Sequence, residues 1–118
     1  MILFIVKMKA LAAKRKELLQ TLEAMSEIVR KEKGCRDYHF HQNREDCNAV
    51  TLIEEWETRE DFNEHMGSDL FSVLLGAMSL LQGPPEIWFD RITFTVGMEI
   101  IRKVRPPAGI TPPLRRLH

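Results

Sequence analysis

An α+β fold is predicted: a βαββαβ chain in the ferredoxin-like arrangement, with one four-stranded antiparallel sheet. Three observations predict it. The hydrophobic period switches between about two and about 3.6 residues in that order along the chain. The switches fall on strong punctuation, at Gly34, Gly67-Ser68 and Gly83-Pro84-Pro85. The length, 118 residues, suits a single domain.

Ile2 to Leu11 reads as the first strand. Its start, Ile2-Leu3-Phe4-Ile5-Val6, is apolar on both sides; Lys7 and Lys9 then alternate with Met8 and Ala10, so its end is half exposed. Leu18, Leu22, Met25 and Val29 recur at helical spacing among charges, which predicts an amphipathic helix from about Ala12 to Lys31. Gly34 closes it, glycine being the residue most at ease in the left-handed conformation found after helix ends.

Cys35 to Gln42 alternates, with Tyr38 and Phe40 on one face and Cys35, Asp37, His39 and His41 on the other. Asn43 to Asn48 is a polar turn. Ala49 to Trp56 returns as the partner strand of a hairpin, with Val50, Leu52, Glu54 and Trp56 on one side. Thr58, with Asp61 three residues on, marks the start of a helix that runs to about Met66. After the Gly67-Ser68 break, Ser68 caps a second segment carrying Leu70, Val73, Leu74, Ala77, Met78 and Leu81. Ile87 to about Ile101 is the last strand. The domain is therefore expected over residues 1–100, with 101–118 a Pro- and Arg-rich extension that Pro106-Pro107 and Pro112-Pro113 keep out of regular structure.

Right-handed crossovers place both helical regions on one face of the sheet. The first and last strands are apolar on both faces, so the other face needs a cover too. A second copy of the sheet would supply it and would hide the strand edges. A homodimer through sheet–sheet packing is expected, with the extension lying against the partner subunit.

Lys and Arg total 17 against 17 Asp and Glu, which leaves no electrostatic case for nucleic acid or an anionic membrane. The apolar N-terminal run is far short of the roughly 20 residues a membrane span needs. It also lacks the basic start and small-residue cleavage site of a signal peptide, so a cytoplasmic protein is expected. Cys35 and Cys47 lie near opposite ends of one strand, about 25 Å apart, and are expected to be free thiols.

The motifs of several enzyme classes are missing: no glycine-rich phosphate loop, no Cys-x-x-Cys, no His-Glu-x-x-His and no Gly-x-Ser-x-Gly elbow. Chemistry would have to come from a pocket between the sheet and its covering helices. Glu54 is the first candidate, since a carboxylate on the helix-covered face is poorly solvated and suits a base that deprotonates a phenol. An ion pair with Arg91 or a helix cation is its structural alternative. Trp56 shares that face and can stack on a planar ligand, though a core role is equally open. His65 follows Phe62 by three and leans to the buried side, where it would shuttle protons or simply tie helix to sheet. Tyr38 can donate to a substrate oxygen or be satisfied by backbone. His39 and His41 form a strand pair without an evident third ligand, so no metal site is expected.

Gly34-Cys35-x-x-Tyr38, Glu54-x-Trp56, His65 and Ser68-x-x-Phe71, in that order, resemble the antibiotic biosynthesis monooxygenase family of the dimeric α+β barrel superfamily. The resemblance covers about Ile2 to Val96. It implies two such sheets closed into a barrel and oxidation of a small electron-rich phenol or quinol by O₂, with no cofactor. It also implies His65 or Glu54 as the base, Trp56 and Tyr38 holding the ring and its oxygens, and Phe62, Leu70, Phe71 and Leu74 as pocket wall. The superfamily's haem-degrading branch has a ligating histidine where this chain has Leu75, so haem chemistry is not expected. A small-molecule isomerase or a non-catalytic binding module of the same fold is the alternative.

Overall fold

The computed structural model describes residues 1–91. The elements run β1 (Ile2–Lys9), α1 (Arg15–Val29), β2 (Cys35–Gln42), β3 (Ala49–Trp56), α2 (Arg59–Met66), α3 (Asp69–Ala77) and β4 (Glu86–Arg91). The four strands make one sheet in the order β2-β3-β1-β4, antiparallel throughout. This is the predicted α+β, ferredoxin-like βαββαβ fold. The last strand's expected continuation to Ile101, and the extension over 101–118, lie outside the described residues.

Alternation decides which residues meet the helices. Ile2, Phe4, Val6 and Met8 of β1, with Val50, Leu52, Glu54 and Trp56 of β3, point to the helical side and are buried. Leu18, Leu22, Met25 and Val29 of α1 close over them, as their spacing predicts. The register aligns Tyr38, Glu54, Phe4 and Phe89 in one row across the four strands, so a carboxylate sits in the middle of an otherwise apolar and aromatic line.

On the opposite face the central row is His39, Ile53, Ile5 and Trp88. Ile5 and Ile53 are only half-buried there, and Trp88 is 43% exposed. The sheet is therefore apolar on both sides at its centre.

Several boundaries differ from expectation for identifiable reasons. β1 stops at Lys9, because Ala10 leaves the ladder to bridge Leu81 and donates to Asn48 O at 2.8 Å. A 3₁₀ turn over Ala12–Lys14 then precedes the helix proper. The second helical segment splits into α3 and a 3₁₀ turn over Met78–Leu80. Its buried stripe runs through Leu74 and Ala77, which leaves Val73, one of the apolar residues of that segment, 48% exposed.

One correction bears on the site. Simple alternation puts Cys35 on the same face as Asp37, His39 and His41. A bulge intervenes: Cys35 pairs with Trp56 and Asp37 with Glu55, so Arg36 is an extra residue in β2. The extra residue turns Cys35 to the helical face, where it packs against the core.

The caps follow the sequence. Thr58 Oγ1 accepts from Asp61 N at 3.1 Å and donates to Asp61 Oδ2 at 2.9 Å. Ser68 Oγ accepts from Phe71 N at 3.3 Å and donates to His65 O at 2.6 Å, which ties the start of α3 to the end of α2. Gly34 has φ of +80°, and a Cβ there would run into the Asp61 side chain. Both facts demand glycine. Gly34→Ala should cost roughly 1–3 kcal/mol in urea unfolding. Gly76→Ala, which would meet nothing within 4 Å, should be neutral or stabilise by up to about 1 kcal/mol. Equal stabilities for the two variants would contradict this account.

Candidate active site between α2 and the sheet

Residue 65 is where α2 crosses the row containing Glu54. Asp61 and His65 are one helical turn apart and share a face. Asp61 abuts Gly34, and His65 lands over β3. The imidazole stacks on Trp56, with ring centroids 4.5 Å apart and planes 26° from parallel. Its edge meets Phe71 at 5.7 Å and Tyr38 at 6.4 Å. His65 is 2% exposed, and Glu54, Trp56 and Tyr38 are 0% exposed.

Polar contacts inside this dry cluster are few and directed. Trp56 Nε1 donates to Glu54 Oε1 at 2.9 Å. His65 Nε2 lies 3.2 Å from the same oxygen, at ion-pair distance but without the alignment of a hydrogen bond. Nδ1 of His65 is 2.7 Å from Glu32 Oε2. Three atoms, Tyr38 Oη, Glu54 Oε2 and His65 Nε2, are buried with no hydrogen-bond partner among the described residues. A buried polar atom left unpaired costs roughly 1–3 kcal/mol. Three of them around one imidazole therefore mark a place built for something other than stability alone.

The electrostatics are set by burial together with the two carboxylates. Burial is the largest single influence on His65 and pushes its pKa down, but Glu54 and Glu32 together outweigh it and raise the pKa above 6.5. The Tyr38 phenol is pushed up, first by burial and then by Glu54, so it stays a neutral donor. Burial, with Glu54 and Glu32, also lifts the Cys35 thiol to about 11, which makes it a poor nucleophile at neutral pH.

The structure thus brings together four of the residues singled out in the sequence, Glu54, His65, Trp56 and Tyr38. Phe71, half-buried, completes the wall beside the imidazole. Phe62 is buried but its ring packs on Phe4 at 5.1 Å and Phe89 at 5.2 Å, toward β4. Leu74 belongs to the core, and Leu70 packs half-buried against it. Glu54 has His65, a side chain of the covering helix, as its ion-pair partner at 3.2 Å; the side chain of Arg91, the other partner the sequence offers, lies outside the described residues.

The sequence pattern does not single out Glu32. It lies among Lys31, Glu32 and Lys33, and nothing in that run separates it from the solvated Glu23 and Glu27. On the opposite sheet face, His39 Nδ1 pairs with Asp37 Oδ2 at 2.9 Å, and the His39 and His41 rings are 4.7 Å apart. Among the described residues no three His, Cys, Asp or Glu side chains gather to hold a metal ion, and no helix is long and apolar enough to cross a membrane.

Residues 1–74 match the family model described as antibiotic biosynthesis monooxygenase. The chain belongs to that family. All the residues of the buried cluster lie inside the matched segment. No curated protein matches the chain. Among solved structures, a conserved protein from Methanosarcina mazei Go1 is similar at 28% identity and a TM-score of 0.71, covering 76% of this chain and 90% of that one. A Pseudomonas aeruginosa protein, PA3566, is similar at 26% identity and a TM-score of 0.69, covering 78% and 94%. Rv0793 from Mycobacterium tuberculosis, at 23% identity and a TM-score of 0.73 over 81% and 98%, shares the fold.

Because the folded-state pKa of His65 lies above its ordinary 6.5, protonation of this ring stabilises the folded state. That contribution is fully present below pH 6.5 and is lost as pH rises through the folded-state value. Urea unfolding from about pH 6 to about pH 9 should show a decline in stability that is flatter in His65→Gln. An identical slope in the two proteins would exclude the linkage.

Proposed function

We propose that this protein is a cofactor-independent monooxygenase that oxidises a small electron-rich phenol or quinol with O₂. The observation that carries the reading is a trio of buried polar atoms with no hydrogen bond among the described residues, Tyr38 Oη, Glu54 Oε2 and His65 Nε2 (the last in ion-pair contact with Glu54 Oε1), framed by the Trp56 and Phe71 rings. A flat aromatic ring with a hydroxyl group suits both features. Aromatic walls accept its faces, and the polar atoms accept and return its oxygen-bound hydrogen.

The roles follow from the charges. His65, with a raised pKa between two carboxylates, favours the imidazolium and acts as a donor. Glu54 keeps one oxygen, Oε2, free to accept, and is the base. Removing the phenolic proton makes the ring electron-rich enough to pass an electron to O₂. Tyr38 Oη and His65 Nε2–H stabilise the phenolate, in a site where the absence of water strengthens both contacts. For a quinol with a ring C–H, quinol + O₂ → hydroxyquinone + H₂O, and for the methylene of an anthrone-like phenol, R₂CH₂ + O₂ → R₂CO + H₂O; both balance in atoms and electrons without an external reductant. The proton taken by Glu54 returns in the water formed.

Substrate reaches this cluster only when its cover moves, since all four side chains are shut off from solvent. Phe71, half-buried on α3 and edge-on to His65, is the side chain to displace. The rival reading, a binding module without turnover, draws on that same closure. The free thiols Cys35 and Cys47 fit a cytoplasmic setting.

The active species in this reading is a homodimer paired through sheet–sheet packing on the face that carries Ile5 and Ile53, two apolar side chains at the centre of the sheet that are only half-buried among the described residues. Ile53→Glu should convert it to a monomer in light scattering, and an unchanged mass would remove this face as the interface.

O₂ uptake with reduced naphthoquinols and anthrone-like phenols tests the activity. Catalysis above the spontaneous rate should fall by roughly 10²–10⁴ in Glu54→Gln, with a marked loss also in His65→Gln. No stimulation by the wild type with any of these substrates would favour the binding module. Stimulation that survives both substitutions would assign the chemistry to other residues.

A further inference from the structure

Glu32 reaches His65 from a turn whose geometry is unusually constrained. Cys35 N donates to Glu32 O at 3.1 Å, and Gly34 holds φ of +80° at the third position of that turn, the pattern of type II. Glu32 N in turn donates to Val29 O at 2.9 Å, so the end of α1 runs directly into the turn. Glu57 N donates to Gly34 O at 2.7 Å, which fastens the turn to the end of β3. On its other side Gly34 is pressed against Asp61 of α2. Glu32 therefore has its backbone held on three sides, opposite the helical face that carries His65 one turn beyond Asp61.

We propose that Glu32 is a positioning residue that holds Nδ1–H of His65, so that Nε2 is turned toward Glu54 and the interior of the site. The contact is 2.7 Å, with the imidazole side chain 1% exposed and the carboxylate 25% exposed. A surface ion pair of ordinary kind leaves both partners in water and contributes little. Here one partner is out of water and has a choice of two nitrogens. A carboxylate on one ring nitrogen settles both the tautomer and the orientation of the ring, and so what the other nitrogen can do. The groups facing His65 are Glu32 from the turn, Glu54 and Trp56 from β3, Tyr38 from β2 and Phe71 from α3. Glu54 alone cannot orient the ring, because Nε2 lies beside it without hydrogen-bond alignment and Trp56 already occupies the near oxygen.

The catalytic consequence rests on the monooxygenase reading; the structural claim does not, and two arms separate them. In the first, ¹⁵N spectra of the ligand-free protein follow the two nitrogens of His65 through a pH titration. Wild type should keep Nδ1 protonated on both sides of the titration. In Glu32→Gln the midpoint should move to lower pH and the Nδ1–H preference weaken, while Glu32→Asp should restore part of both. Circular dichroism and the urea midpoint show that each variant is folded. Unchanged nitrogen shifts and midpoint in folded Glu32→Gln would overturn the proposal. In the second arm, O₂ uptake by Glu32→Gln should show kcat reduced by about tenfold or more with little change in KM. The basic limb of its pH profile should shift to lower pH, in step with His65. A wild-type kcat and profile in Glu32→Gln would overturn the catalytic role. A wild type that consumes no O₂ would sink the monooxygenase reading and leave the nitrogen spectra to decide Glu32.

Discussion

Glu54 lies wholly out of water in the centre of the helix-covered sheet face, flanked in its row by Tyr38 and Phe4. An isolated carboxylate in such a place would cost many kcal/mol, so its neighbours have to answer it. Trp56, two residues on and therefore on the same face, gives one N–H. His65 brings an imidazole from the helix above to within 3.2 Å, and the two carboxylates beside it raise its pKa, which favours its charged form. That requirement ties the lateral position of α2 to β3, because only one helical position brings an imidazole over the row. Glu32 then balances the second nitrogen of the same ring. The chain from β3 to α2 to the end of α1 is in this sense one electrostatic unit, and the apolar core is arranged around it.

Two backbone features make the unit possible. The glycine at residue 34 allows the chain leaving α1 to turn sharply and approach α2 more closely than any side chain would permit. The bulge at Arg36 then resets the face of β2, so that both Cys35 and Tyr38 border Glu54. Neither feature adds much to burial. Both decide which polar atoms lie next to one another, and hence which groups answer the buried carboxylate. The Ser68 hydroxyl, bonded to the last turn of α2 while capping α3, carries Phe71 into place beside the imidazole.

Membership of the antibiotic biosynthesis monooxygenase family and the observed cluster bear on different links of the chain from sequence to function. The family match, with the solved relatives, accounts for the architecture. The chemistry has to come from the atoms, since one fold serves many reactions. What these atoms offer is an acceptor without a hydrogen bond among the described residues, a neutral phenol donor and an imidazole between two carboxylates and aromatic rings, all in a medium where such contacts are strong.

Much was determined by the sequence alone. Alternation in Ile2–Lys9 and Ala49–Trp56, the Leu18–Leu22–Met25–Val29 stripe and the Thr58 and Ser68 caps are local signals with a fixed period, so the elements, their order and their buried faces were readable residue by residue. The same period placed Glu54 and Trp56 side by side, and helical spacing leaned His65 inward. Only the tertiary structure decided the rest. A bulge inserts one residue and flips a face, which no periodic pattern announces, so alternation alone puts Cys35 on the wrong side. Glu32 is one acid among several in a charged stretch, and its difference from Glu27 is a contact across 33 residues of sequence. Phe62 was legible as buried, but which aromatic neighbours it faced depended on the strand order, β4 lying beside β1. Local physical chemistry specifies what each segment must bury; which buried groups meet one another is set by the crossing of segments far apart in the chain.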